Sequence, residues 1–156
     1  MNVIVIGGGA SGMAAAIMAA RAGAKATIFE KEDRLGRKIL ATGNGKCNLS
    51  NTRWDGTEYN DASREFAAAV LAKVTPDETL AFFEELGVFP REDTEGRIYP
   101  SSEQAASVLD ALRFEVERLK IEVISDEWIK GIVPQRNGGY AVVSHVNTRL
   151  RTDKVI

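Results

Sequence analysis

Residues 2–30 read NVIVIGGGASGMAAAIMAARAGAKATIFE, and their order decides the fold. Val3, Ile4, Val5 and Ile6 are a continuous β-branched run, which suits a strand buried on both faces of a parallel sheet. Gly7, Gly9 and Gly12 follow in G-x-G-x-x-G spacing. The first glycine permits a tight turn, the second lets backbone approach a pyrophosphate, and the third lets a helix pack closely on the strand. A side chain at Gly9 is expected to fill the pyrophosphate's space and to strain the backbone. Met13, Ala16, Ile17 and Ala20 then recur at helical spacing, and Gly23 supplies a C-terminal cap. Residues 25–29 form a second apolar run closed by Glu30, which lies 18 residues beyond Gly12. That is near the separation of about 20 at which an acidic residue meets a ribose. Strand, glycine turn, helix, strand and terminal acid fall in register, so the chain is predicted to carry an α/β, Rossmann-like dinucleotide-binding fold.

Working outward, residues 31–51 are polar and glycine-rich, with little periodicity. About twenty such residues inside a compact domain usually form a functional loop. Its glycines and asparagines allow left-handed backbone, and Arg37, Lys38 and Lys46 add positive charge where a diphosphate would use it. The competing reading is a solvated loop with its lysines in water. Asp61 is placed to cap a helix to about Lys73, with Phe66, Val70 and Val74 as a core-facing stripe. Thr75-Pro76-Asp77-Glu78 reads as a capping box with proline at the first helical position. Residues 88–99 read as a hairpin around Thr94-Glu95-Gly96. Ser101 and Gln104 read as a second capping box, opening a helix with Ala105, Val108, Leu109, Leu112, Val116 and Leu119 on one face. Residues 121–124 are the expected third parallel strand. Two alternating runs about Asn137-Gly138-Gly139 follow as a small β-meander, and a further strand begins at Val155.

The sequence has 156 residues and a formal charge of −2. Such a length predicts one domain, with room for a small insertion, and the charge gives no reason to expect a nucleic-acid or polybasic membrane partner. Cys47 is the single cysteine, so no intrachain disulfide can form and a cytoplasmic setting is expected. The first residues enter a strand directly, so no signal peptide is expected, and no apolar run reaches the ~18 residues of a membrane span. His145 is the single histidine, and its distance in sequence from Cys47 offers neither metal-ligand spacing nor a clear nucleophile pair.

The glycine unit resembles the dinucleotide-binding half of two-dinucleotide-binding-domain flavoproteins. The stretch Gly36-Arg37-Lys38-Ile39-Leu40-Ala41-Thr42-Gly43-Asn44-Gly45-Lys46-Cys47-Asn48 is more specific. It is similar to the signature of BaiN-like flavoproteins, also described as aminoacetone-oxidase-family or NAD(P)/FAD-dependent oxidoreductases. The resemblance covers residues 1–156, which would be the N-terminal part of an FAD-binding domain. In that family the strand that starts at Lys154 runs on into an Ala-Thr-Gly turn, a second FAD contact, followed by the substrate-facing domain and a C-terminal FAD segment, and these would lie beyond the residues matched here.

The resemblance implies roles by position. Gly7, Gly9, Ala10, Ser11 and Gly12 would hold the pyrophosphate, and Glu30 the adenosine ribose. Lys31 would flank the adenosine half, and Arg37 and Lys38 would lie along the ribose and diphosphate. Thr42, Gly43, Gly45, Cys47 and Asn48 would approach the ribityl chain and flavin, and backbone at Ile129 would meet the adenine. No residue reads as a general acid or base, so the catalytic residues stay unassigned. Cys47 reads as a small residue packed near the flavin rather than a redox thiol, since no second cysteine could resolve a disulfide. FAD is the implied cofactor and NAD(P)H the implied co-substrate, with hydride passing to a small organic molecule. The rivals are an NAD-dependent dehydrogenase domain and a non-catalytic binding fragment. Glu30 would repel a 2′-phosphate, which argues against NADP at this first site. A strand at the C-terminal edge with nothing beside it predicts self-association of the 156-residue chain.

Overall fold

In a computed structural model, which describes residues 1–53, 59–146 and 148–156, the apolar run after Met1 becomes β1 (Asn2–Ile6), with Val3, Ile4 and Val5 buried. The elements that follow are α1 (Ala10–Arg21), β2 (Lys25–Phe29), β3 (Ser50–Asn51), α2 (Asp61–Leu71), α3 (Pro76–Glu85), β4 (Pro90–Glu92) and β5 (Arg97–Pro100). Then come α4 (Ala105–Arg118), β6 (Glu122–Ile124), β7 (Ile129–Pro134), β8 (Tyr140–Ser144), β9 (Arg149–Thr152) and β10 (Lys154–Val155). Contacts group the chain into two units, Met1–Lys38 with Leu112–Ile156, and Ile39–Ala111.

The first unit is a parallel sheet in the order β10-β1-β2-β6. β2 runs beside β1 over its whole length, with Asn2 opposite Lys25 and Ile6 opposite Phe29. Parallel neighbours need a crossover, and α1 provides it, burying Met13, Ala16 and Ile17. Gly23, at φ +84°, ends α1 in the left-handed conformation that a glycine cap supplies. The strands expected at residues 121–124 and from Val155 are both present, as β6 and β10. β7 and β8 form the expected hairpin, and β9, a strand the sequence reading did not place, adds to it to make an antiparallel meander. Its hairpin needs Gly139: φ is +74°, and a Cβ would lie 2.5 Å from the Thr152 carbonyl oxygen. Ile4 and Phe29 from the parallel sheet meet Val142 from the meander, with Ile124, Ile129 and Val155 packed around them. Each such side chain contributes about 1.5–3 kcal/mol on full burial, so this cluster helps join the two sheets, with Thr152 Oγ1 donating to the Asn2 carbonyl beside it.

The second unit carries a three-stranded sheet, β3-β5-β4, whose β4–β5 hairpin is the one predicted. The Thr75 capping box forms as read, with Glu78 N–H donating to Thr75 Oγ1 and Thr75 N–H to Glu78 Oε2. Four expectations are corrected. The cap of α2 is Asn60, whose side chain accepts from Ser63 N–H, and Asp61 is the first helical residue. The α2 stripe is not core: Phe66 is 74% exposed, and Val70 and Val74 are exposed with it. Ser101 makes no capping box with Gln104. Its hydroxyl turns to the Pro90 carbonyl, and Ser102 Oγ takes the Gln104 N–H instead. Residues 31–51 are less irregular than expected, because Arg37–Gly45 winds into two 3-10 turns across a kink where Thr42 is extended and Gly43 and Asn44 are left-handed.

Candidate cofactor site

The site of the first unit begins where β1 ends. Gly7 sits at φ +101°, a conformation glycine alone adopts readily, and its N–H donates to the Phe29 carbonyl at 2.7 Å. Gly9 is the N-cap of α1, at φ −75° and ψ −172°. Any residue adopts that extended backbone, so the strain expected from a side chain at Gly9 is not there. What Gly9 offers is space, since a Cβ would meet no atom within 4 Å. Gly12 is the reverse case. A Cβ there would lie 1.8 Å from the Gly7 carbonyl oxygen, so the helix can approach β1 only with glycine at this position.

The start of α1 has no side-chain cap and no acidic residue in its first turn. Met13 N–H makes the first bond back, to the Gly9 carbonyl. The N–H groups of Ala10, Ser11 and Gly12 therefore lie in the orphan first turn, with the positive end of the helix dipole behind them. An anion of diphosphate shape fits a helix start of this kind.

Glu30, at the end of β2, is 8% exposed. Its Oε2 accepts the Gly8 N–H at 2.7 Å and its Oε1 the Glu32 N–H at 2.9 Å. A carboxylate has about four lone-pair positions, so acceptor capacity remains. Lys31, Arg37 and Lys38 are exposed. Arg37 donates to Glu32 at 2.6 Å and stands 3.8 Å from Asp33, while Lys31 is 3.8 Å from Glu32. The charge of Arg37 is thus already matched by neighbouring acids. Ile129 opens β7 opposite Ser144, half-buried, with a bulge between it and Gly131.

The residues 42–48 belong to the second unit and have their own geometry. Gly43, Asn44, Gly45 and Cys47 all lie at positive φ. A Cβ on Gly43 would lie 2.8 Å from Asn48 N and 3.2 Å from the Tyr99 ring. Cys47 is buried, its N–H bonded to the Thr42 carbonyl at 3.1 Å, and the Asn48 amide donates to the Ile98 carbonyl. Thr42 Oγ1 closes the first 3-10 turn on Ile39 O at 2.6 Å. Lys46 pairs with Glu103 at 3.1 Å and lies 6.0 Å from the Tyr99 ring centre. Hydrogen bonding and charge from Lys46, with Arg91 behind it, hold the Glu103 carboxyl below its ordinary range.

Sequence reasoning missed Gly8 and Tyr99. Gly8 was hidden in the middle of a three-glycine run, and Tyr99 is distant in sequence from the loop it touches. His145 lies 3.4 Å from Glu127 Oε1, and its backbone N–H donates to the Trp128 carbonyl. Among the described residues no group of three His, Cys, Asp or Glu is placed to hold a metal, and no helix is long and apolar enough to cross a membrane.

Residues 1–156 match the HI0933-like protein Rossmann domain. The chain belongs to that family. It is 43% identical over its full length to the 3-dehydro-bile acid delta(4,6)-reductase of Clostridium scindens, of which it covers 38%. It is 30% identical over 80% of its length to the ribosomal RNA dihydrouridine synthase of Escherichia coli, covering 32% of that protein. The chain therefore spans about a third of the length of these relatives. Among solved structures, the 3-ketosteroid-delta4-(5alpha)-dehydrogenase of Rhodococcus jostii aligns over 99% of this chain and 44% of its own, with a TM-score of 0.62 and 17% identity. A flavocytochrome c3 fumarate reductase aligns over 99% of this chain and 32% of its own, with a TM-score of 0.61 and 16% identity. At such identities the agreement speaks for the Rossmann fold alone.

Proposed function

We propose that this chain is the FAD-binding portion of a flavin-dependent oxidoreductase that passes hydride between NAD(P)H and a small organic substrate. One observation carries the reading: an uncapped helix start with open space at Gly9, beside a buried carboxylate at the end of the next strand. That pairing suits a diphosphate joined to a ribose. Gly7, Gly9, Ala10, Ser11 and Gly12 would hold the diphosphate through backbone N–H groups. Glu30 would accept the adenosine ribose hydroxyls on its remaining lone pairs. Lys31, Arg37 and Lys38 would face the adenosine and diphosphate from solvent, Arg37 after releasing Glu32. The main chain at Ile129 would meet the adenine. Thr42, Gly43, Gly45, Cys47 and Asn48, in a loop whose backbone is left-handed at Gly43, Asn44, Gly45 and Cys47, would serve the ribityl and flavin half. The flavin, when bound, supplies the redox chemistry, and the protein binds, orients and tunes it.

The relatives act on unlike substrates, a 3-dehydro-bile acid and ribosomal RNA. The higher identity to the former, and a formal charge of −2 that gives this part no net attraction for RNA, support the small-molecule reading. The test is to purify the protein from its complete gene, record its visible spectrum, and identify what heat releases. A yellow protein releasing FAD is expected. A colourless protein that takes up no FAD on titration overturns the proposal.

A further inference from the structure

The Gly8 peptide is held from both sides. Its N–H donates to Glu30 Oε2 in a buried bond, and its carbonyl accepts the Gly36 N–H at 2.8 Å. Its α-carbon lies so close to Leu35 that a Cβ would stand 2.1 Å from Leu35 Cδ2. The Leu35 carbonyl is in turn held by Arg113 Nη2, from α4. The other oxygen of Glu30 takes the Glu32 N–H, and the backbone on either side is pinned by Glu127 N–H to Glu30 O at 2.9 Å and Asp126 N–H to Glu32 O at 3.0 Å. All of these residues belong to the first unit.

We propose that Glu30 is a positioning residue for the glycine turn as well as a ribose acceptor: with the Leu35–Gly36 segment and Arg113 behind it, its carboxylate locks the Gly8 peptide. The inference rests on the cofactor-site reading above and gives it a second part. Glycine backbone is the most costly to order, so a turn of three glycines binds a diphosphate well only if something else orders it first. A carboxylate suits that task because both of its oxygens accept, one from Gly8 and one from Glu32. A glutamine of the same size would turn an NH₂ group toward one of those two N–H donors. Arg113 acts through the Leu35 carbonyl that it holds.

The experiment compares FAD with its 2′,3′-dideoxyadenosine analogue, which lacks the hydroxyls that Glu30 would bind. Both are titrated into the full chain and into Glu30→Gln. Amide hydrogen exchange of ligand-free protein is followed at Gly8 and, as a control, at Ile17 within α1. The expected result is that Glu30→Gln loses about tenfold or more in affinity for both ligands. The Gly8 amide should also exchange about tenfold faster or more, with Ile17 unchanged. Arg113→Ala is the second arm: severalfold weaker FAD binding and faster Gly8 exchange, both restored in Arg113→Lys. A loss with FAD but none with the analogue, and an unchanged Gly8 amide, would reduce Glu30 to a ribose acceptor and overturn the proposal. Loss of protection throughout α1 would overturn it too, as general loosening. If the wild-type protein binds no FAD at all, the cofactor reading fails, and the exchange arm alone decides whether Glu30 and Arg113 order the turn.

Discussion

Gly9 and Gly12 stand three positions apart and resist substitution for opposite reasons. Gly9 has ordinary extended backbone and open space in front of it, so Gly9→Val should fold with an unchanged far-UV circular dichroism spectrum and lose FAD. Retained FAD affinity would remove Gly9 from the diphosphate site. At Gly12 the obstacle is the protein itself, because a Cβ would sit 1.8 Å from the Gly7 oxygen. Overpacking against backbone costs about 1–3 kcal/mol or more, so Gly12→Ala should lower the urea midpoint of the protein even without ligand. An unchanged midpoint would mean that α1 can lift away from β1 at little cost. Cys47 is buried as well. A buried thiol reacts slowly, so a bulky disulfide reagent should label the native protein at least about tenfold more slowly than the urea-unfolded chain. Equal rates would contradict the burial.

Between elements, α1 and α4 are joined by charge. Arg118 donates to Glu115 at 2.6 and 2.9 Å, and Arg21 from α1 at 2.9 and 3.1 Å. The hydrogen bonds from Arg118, then those from Arg21, outweigh burial and hold the Glu115 carboxyl at about 2. The folded value is below the unfolded one, near 4.3, so the contribution is complete above about pH 4.5 and is lost as pH falls toward 2. It is on the order of 2 kcal/mol once the exposure of Arg118 is allowed for. Glu115→Gln should therefore be less stable than wild type by that amount at neutral pH, with the gap closing as pH falls. Urea unfolding at a series of pH values measures it, and a gap independent of pH would assign the loss to packing. None of this was legible in the sequence, and the reason is general. The β1–α1–β2 unit, the Thr75 cap and the hairpin at Gly138 could be read because each is specified by neighbours within a few residues. Helical spacing shows which residues share a face and not what covers it, so Phe66, Val70 and Val74 were expected in a core that the structure does not give them. Likewise the charge of Arg37 was visible but its partner Glu32 was not, and the contact of Gly8 with Leu35 depends on a chain reversal that no local pattern announces.

For the molecule as a whole, what matters is how much adhesive surface the chain presents against how little charge opposes it. β10 is an edge strand of the parallel sheet, and Ile156 just beyond it is 57% exposed. Ile156 bonds β1 on one side, its N–H to the Ile4 carbonyl and its carbonyl to the Ile6 N–H. In a parallel strand the alternate residue turns its N–H and C=O the other way, which here presents those of Val155 to the open edge. α2 adds an apolar face of Phe66 and Val70. A formal charge of −2 over 156 residues supplies little repulsion. The 156-residue chain should therefore self-associate at micromolar concentration, and Ile156→Lys, a charge set on the edge, should shift it toward monomer. Sedimentation velocity over a concentration series reads both. The curated relatives are about three times as long as the matched segment, so the same measurement on a version extended through the rest of its gene is the informative comparison. If added chain covers the β10 edge, the extended protein should be less associated and should hold FAD more tightly. A monomeric 156-residue chain that binds FAD as well as the extended one would refute the adhesive-edge reading, and would make this segment a binding module sufficient in itself.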